Sequence, residues 1–156
     1  MRQFPNLYRY EIELKAPVTA KIDLDDVLDA TATFVTDQGG VEYPVHGVLS
    51  SFEVAKYVQN YAYYKAILVP RIWKLSNYQT NEIFYSSAGE STTDSGQCID
   101  DIIRQVLDKA GMSNSDYDIS GLLGNLLKRE YVCQYNESDF DFISRLMENE
   151  GIFYYF

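Results

Sequence analysis

The chain has 156 residues, 46% of them hydrophobic and 15% aromatic, with fourteen tyrosines, and its 13 basic and 23 acidic side chains give a formal charge of −10. A chain of this length buries about 70% of its unfolded surface, enough for one sizeable core or two small ones. The acidic balance argues against nucleic acid and anionic membranes as main partners. With no apolar run of about 18 residues and no leader-like start, the expectation is cytoplasmic folding without stable membrane insertion.

Residues 7 to 75 read mostly as strand. Leu7 to Leu14 is a half-alternating run, and Leu24 to Leu28 is a short helical turn crowded by Asp23, Asp25, Asp26 and Asp29. Ala30 to Thr36 alternates and is β-branched, and Asp37-Gln38-Gly39-Gly40 signals a hairpin turn. Val41 to Tyr57 runs back, with Gly47 a bulge or close-approach position. Gln59-Asn60 makes the next turn, and Tyr61 to Leu75 is the last long strand, where Pro70 suggests an edge or a bulge. Long strands joined by short turns form a meander, and curling it into a barrel removes exposed edges.

Ser76 to Gln97 is polar and turn-rich, which marks a boundary. Ile99, Ile102, Ile103, Val106 and Leu107 then share one helical stripe, ended by Gly111. After the polar stretch Ser113 to Ser120, Leu122, Leu123, Leu126 and Leu127 suit a short helix or a docked loop. Tyr131, Cys133 and Tyr135 alternate with Val132 and Gln134 as a half-buried strand does. Ser138 is placed as a helix N-cap with Asp141 three residues on, in a capping-box arrangement. Phe142, Ile143, Leu146 and Met147 share a face, Gly151 ends the helix, and Ile152 to Phe156 reads as a closing strand. The predicted architecture is α+β and mainly β. An antiparallel β-barrel over residues 1–75 is followed by a polar loop at 76–97 and a smaller α/β domain at 98–156.

Groups suited to catalysis are thin. Glu137, Asp139 and Asp141 form a carboxylate cluster such as a glycosidase pair would need, yet Asp139 and Asp141 fall in a first helical turn, where the dipole favours negative charge. The aspartates at 23, 25, 26 and 29 lack the Asp-x-Asp-x-Asp-Gly loop and the final Glu of a calcium site. His46 is the only histidine, so a triad or catalytic zinc cannot be assembled in the usual ways. Gly121-Leu122-Leu123-Gly124 lacks the Lys-Ser/Thr of a phosphate loop. Trp73, beside Arg71 and Lys74, either stacks a ligand or packs in the core. Cys98 and Cys133 lack metal-ligand spacing and read as reduced, packed thiols. The expectation is no enzyme, with no catalytic, cofactor-binding or metal-binding residues.

The stretch Arg129 to Phe156, REYVCQYNESDFDFISRLMENEGIFYYF, resembles the signature of the VgrG (Rhs-element Vgr) proteins. These are spike components of bacterial type VI secretion systems, similar in turn to the baseplate hub of contractile-tail phages. His46 with Gly47 to Phe52, Tyr64 to Ser76 (YKAILVPRIWKLS) and Ile99 to Leu107 resemble further family segments, so the likeness runs from about Tyr8 to Phe156. The polar stretch Tyr85 to Gln97 departs from it, being longer than the family pattern. The resemblance implies a phage-tail-hub-like fold and a structural role in a spike that is a homotrimer in the complete protein. It also implies a seat on the hexameric tube protein Hcp, carriage of effector proteins, cytoplasmic assembly before secretion, and a chain continuing past Phe156. A contractile phage or prophage hub is the alternative of the same class. A hydrolase using Glu137, or a ligand-binding barrel around Trp73, is the alternative of another class.

Overall fold

The computed structural model describes residues 7–20, 22–28, 30–85, 96–122, 126 and 128–156, apart from the side chain of Asp25. The chain forms two compact units, one ending at Arg71 and the other running from Ile72 to Phe156.

The first unit is a four-stranded antiparallel sheet. Its strands are Tyr10–Pro17 (β1), Thr31–Gln38 (β2), Val41–Val58 (β3) and Tyr61–Val69 (β4), in the order β1-β4-β3-β2. Period-two alternation builds its apolar face. Ala62, Tyr64, Ala66 and Leu68 of β4 are all buried, and in register with them stand Leu14, Ile12 and Tyr10 of β1 and Val54, Phe52 and Leu49 of β3. Phe52 stacks on Tyr64 with ring centroids 5.1 Å apart. The sheet curls toward this face, because Tyr10 and Phe34, on the two opposite edge strands, bring their rings within 5.9 Å.

Strand β3 is 18 residues long and pairs with β2 in its first half and β4 in its second. Two register shifts, between Leu49 and Ser51 and between Val54 and Lys56, bend it and sharpen its twist. Gly47 is a close-approach position: a Cβ there would overlap the Val69 carbonyl oxygen. Beside it the Tyr8 hydroxyl donates to the His46 carbonyl. Burial, and to a smaller degree Tyr10, raises the Tyr8 pKa. Strand β4 stops at Val69 and does not reach Leu75; Pro70 lacks the N–H that a ladder needs, and Arg71–Ser76 winds into a 3-10 helix.

The second unit contains Gln79–Tyr85 (β5), paired antiparallel with Tyr131–Ser138 (β6). Residues 76–97, read from sequence as a polar boundary, therefore contain a strand. Two longer helices, Ile99–Lys109 (α2) and Asp139–Glu150 (α3), close its core; a single turn, Leu24–Val27 (α1), belongs to the first unit. Phe142 is fully buried and stacks on Phe84 at 5.2 Å, while Ile102, Ile103, Val106, Ile143 and Leu146 complete the same cluster. At the end of α3, Gly151 takes φ 72° and donates to Glu148 O at 3.1 Å, and Ile152 donates to Met147 O at 2.8 Å. This left-handed lock returns the apolar Ile152 to the core; α2 ends the same way through Gly111 and Met112.

Ile152 to Phe156 is not a strand, as no ladder partner lies beside it among the described residues. Tyr154 instead meets Phe140 and Phe156 edge-on, at 6.3 and 5.7 Å. Leu122 and Leu126 are not helical, and Leu123 and Leu127 lie outside the described residues. No described helix is long and apolar enough to cross a membrane.

Candidate functional site

The β6–α3 segment holds a dense cluster of polar side chains. Ser138 Oγ accepts the Asp141 backbone N–H at 3.0 Å and donates to Asp141 Oδ2 at 2.7 Å, so the carboxylate secures the cap hydroxyl. Behind it lies a buried amide. Gln134, 1% exposed, donates through Nε2 to Thr80 Oγ1 at 2.5 Å, Asp139 Oδ1 at 2.7 Å and the Glu137 carbonyl at 3.3 Å. Thr80 Oγ1 in turn donates to Asp139 Oδ1 at 2.7 Å, so one cluster ties β5, β6 and the start of α3 together. Arg145 forks onto Glu137 at 2.5 and 3.2 Å and also reaches the Cys133 carbonyl at 3.1 Å. The bond to Glu137 raises the Arg145 pKa further, outweighing its burial.

Each member of the carboxylate cluster thus has a local structural duty: Glu137 pairs with Arg145, Asp139 accepts two side-chain donors, and Asp141 caps. A glycosidase pair faces one cleft across about 5–9.5 Å. A cavity of about 210 Å³ among the described residues of this unit is lined instead by residues that include Arg129, Tyr131, Cys133, Arg145 and Glu150, and none of the three carboxylates lines it. Within it Arg129 is paired to Glu150 at 2.7 Å.

The remaining candidates are dispersed. His46 Nδ1 lies 2.9 Å from Thr33 Oγ1, its cross-strand partner. Trp73 sits in the 3-10 helix, half-buried, with its carbonyl accepting from Ser76 Oγ at 2.5 Å. Asp23 and Asp26 are exposed around the four-residue α1, and Asp29 lies outside the described residues. Gly121 and Leu122 form a turn, while Leu123 and Gly124 lie outside the described residues. Both cysteines are free thiols. Cys98 is half-buried, with Sγ 3.8 Å from Leu126 O, but Cys133 is exposed rather than packed, because the outward face of β6 carries it. Cys98, Asp100 and Asp101 bring their ligand atoms within 4.8 Å of one another. The two aspartates occupy the first turn of α2, where the dipole accounts for them.

The profile of the phage tail baseplate hub (GPD) family matches residues 2–156. The chain belongs to that family. The chain is 31% identical over 151 residues to the type VI secretion system spike protein VgrG1c of Pseudomonas aeruginosa, covering 96% of itself and 19% of that protein. To VgrG1b of the same organism it is 31% identical over 150 residues, covering 96% and 18%. To the actin cross-linking toxin VgrG1 of Vibrio cholerae it is 27% identical over 150 residues, covering 96% and 12%. The chain therefore spans about a fifth or less of these relatives. Among solved structures it is similar to the E. coli c3393 protein, a type VI secretion component with structural similarity to the T4 phage tail proteins gp27 and gp5. The TM-score is 0.66 at 24% identity, over 91% of this chain and 36% of that one. This likeness shows the fold.

The chain also carries an exposed tyrosine surface whose residues the sequence did not single out. On the outward face of the β5–β6 ribbon, Ile83 stands opposite Cys133 and Tyr85 opposite Tyr131, with Tyr135 beyond. Tyr131 is 69% and Tyr135 79% exposed. The alternation of Tyr131, Cys133 and Tyr135 with Val132 and Gln134 was visible, but not which set faces the core. The amide went inside because Thr80 and Asp139 receive it.

Proposed function

We propose that this chain is a structural part of the hub of a contractile, tail-like secretion machine, as in the type VI spike proteins. The observation that carries the reading is the alignment with spike proteins over 96% of the chain, which takes in both compact units. The chemistry supports it. The carboxylates of the β6–α3 segment serve the fold, and the exposed tyrosines offer amphipathic area of the kind protein interfaces use. On this reading the unit that ends at Arg71 is the barrel-like block and the unit that runs on from Ile72 is the α/β block. The curled sheet suits a load-bearing part, since ladder hydrogen bonds share shear along whole strands.

In the assembled machine three copies form the base of a spike that seats on a hexameric Hcp-like tube, gathered in the cytoplasm and expelled with the tube. Effector proteins travel with the spike. No reaction is assigned to the chain itself; the Vibrio relative named as a toxin is matched over only 12% of its length. A contractile phage or prophage hub is the second reading, favoured by the family description itself.

The test is assembly. The purified gene product, mixed with the Hcp-like protein of the same genome, forms a trimer by mass photometry and caps tube rings in electron micrographs. A product that stays monomeric and ignores the rings refutes the reading, and one that caps a phage tail tube instead establishes the second.

A further inference from the structure

The outward face of the first sheet carries, near the β3–β4 turn, a row that nothing above uses. Lys15 of β1, Tyr63 of β4 and Lys56 of β3 stand side by side in register. The Lys15 ammonium lies 3.9 Å from the Tyr61 ring centroid and 5.9 Å from that of Tyr63, and the Lys56 ammonium lies 5.1 Å from Tyr63. All three contacts are within cation–π reach. Neither lysine is ion-paired among the described residues.

That is unexpected in a chain with 23 acidic and 13 basic side chains. The carboxylates nearest in register, Glu13 and Glu53, flank Lys65 in the next row and leave the two lysines to the rings. On the other side Tyr61 stands beside Val58, both exposed. The result is an apolar floor with two ammonium heads carried on strands whose backbones lie about 10 Å apart. The rings hold the lysine ammonium groups in place, so ordering them on contact costs less.

We propose that this face docks an acidic segment of a partner protein. Two of the partner's carboxylates meet Lys15 and Lys56, and an apolar side chain lies on Tyr61 and Val58. Charge complementarity selects the partner. A polyphosphate chain of even charge would run on over Glu13 and Glu53, whereas separate carboxylates can meet the lysines alone.

The test is a titration of the isotope-labelled 156-residue chain with acetylated hexaglutamate at low ionic strength, followed by backbone amide NMR. The expected result is saturable shifts centred on Lys15, Lys56, Tyr61 and Tyr63. They weaken at least tenfold in the Lys15→Gln, Lys56→Gln double variant, whose other amide signals stay in place, and fade as salt is added. Three results overturn the proposal: no saturable shift, shifts that persist in the double variant, or tighter binding at these signals by an oligothymidylate of equal charge. The last would assign the face to a polyphosphate partner.

Discussion

Gln134→Glu replaces one NH2 by an oxygen at the centre of the second unit, where the side chain is 1% exposed. The amide nitrogen now gives hydrogen bonds to Thr80 Oγ1, Asp139 Oδ1 and the Glu137 carbonyl, at 2.5, 2.7 and 3.3 Å. A glutamate there brings at most one proton, and when ionised it sets a second negative charge against Asp139. Burial and that neighbour both raise the pKa of the new carboxyl above its ordinary value of about 4.3. The folded variant then holds a proton that the unfolded chain releases. Its deficit is smallest below about pH 4, where only the lost donor counts, and grows by about 1.4 kcal/mol per pH unit above it, until the folded carboxyl ionises. By pH 7 the pH-dependent part alone reaches about 3–4 kcal/mol, a large share of the roughly 5–15 kcal/mol that holds a domain folded. Urea unfolding of both proteins reads this directly, with midpoints closer together near pH 4 than near pH 7. Equal separation of the midpoints at both pH values would refute the reasoning, because Gln134 would then not be a donor to a carboxylate in a closed site.

Three further substitutions probe other parts of the account. Phe142→Ala removes a fully buried ring stacked on Phe84 and should cost about 3–5 kcal/mol by urea unfolding; a loss below about 1 kcal/mol contradicts the described core. Gly47→Ala drives a methyl into the Val69 carbonyl oxygen, so the backbone must shift at a cost of about 1–3 kcal/mol, and an unchanged melting temperature contradicts the close approach. Glu137→Ala breaks a half-exposed pair with Arg145 and should cost no more than about 1 kcal/mol. Glycan hydrolysis by the native chain that vanished in this variant, with its fold intact, would restore the enzyme reading.

Local signals carried much of this fold into the sequence. Ser138, the apolar face Phe142, Ile143, Leu146 and Met147, and Gly151 act within one helix, so their spacing alone announces α3. The hairpin turn at Gly39-Gly40 and the Gln59-Asn60 turn are equally local. What escaped depends on distant partners. Strand β5 turns Thr80 and Glu82 inward, and such residues look like surface until Asp139, 59 positions away, and Lys109, 27 away, receive them. Gln134 was hidden for the same reason. The aromatic run at 152–156 has strong strand propensity, but that propensity expresses packing against a neighbouring strand, and the described residues supply none there. Of the candidate site, the capping duty of Asp141 was readable, whereas the pairing of Glu137 with Arg145 and the outward tyrosine ladder needed the folded chain.

The central claim is that the chain belongs to a working secretion hub, and the most direct measurement is the amount of Hcp-like tube protein in the culture supernatant of a strain lacking this gene. The tube protein is expected to accumulate in the cells, disappear from the medium, and return when the gene is restored. Undiminished tube protein in the medium of the deletion strain would contradict it.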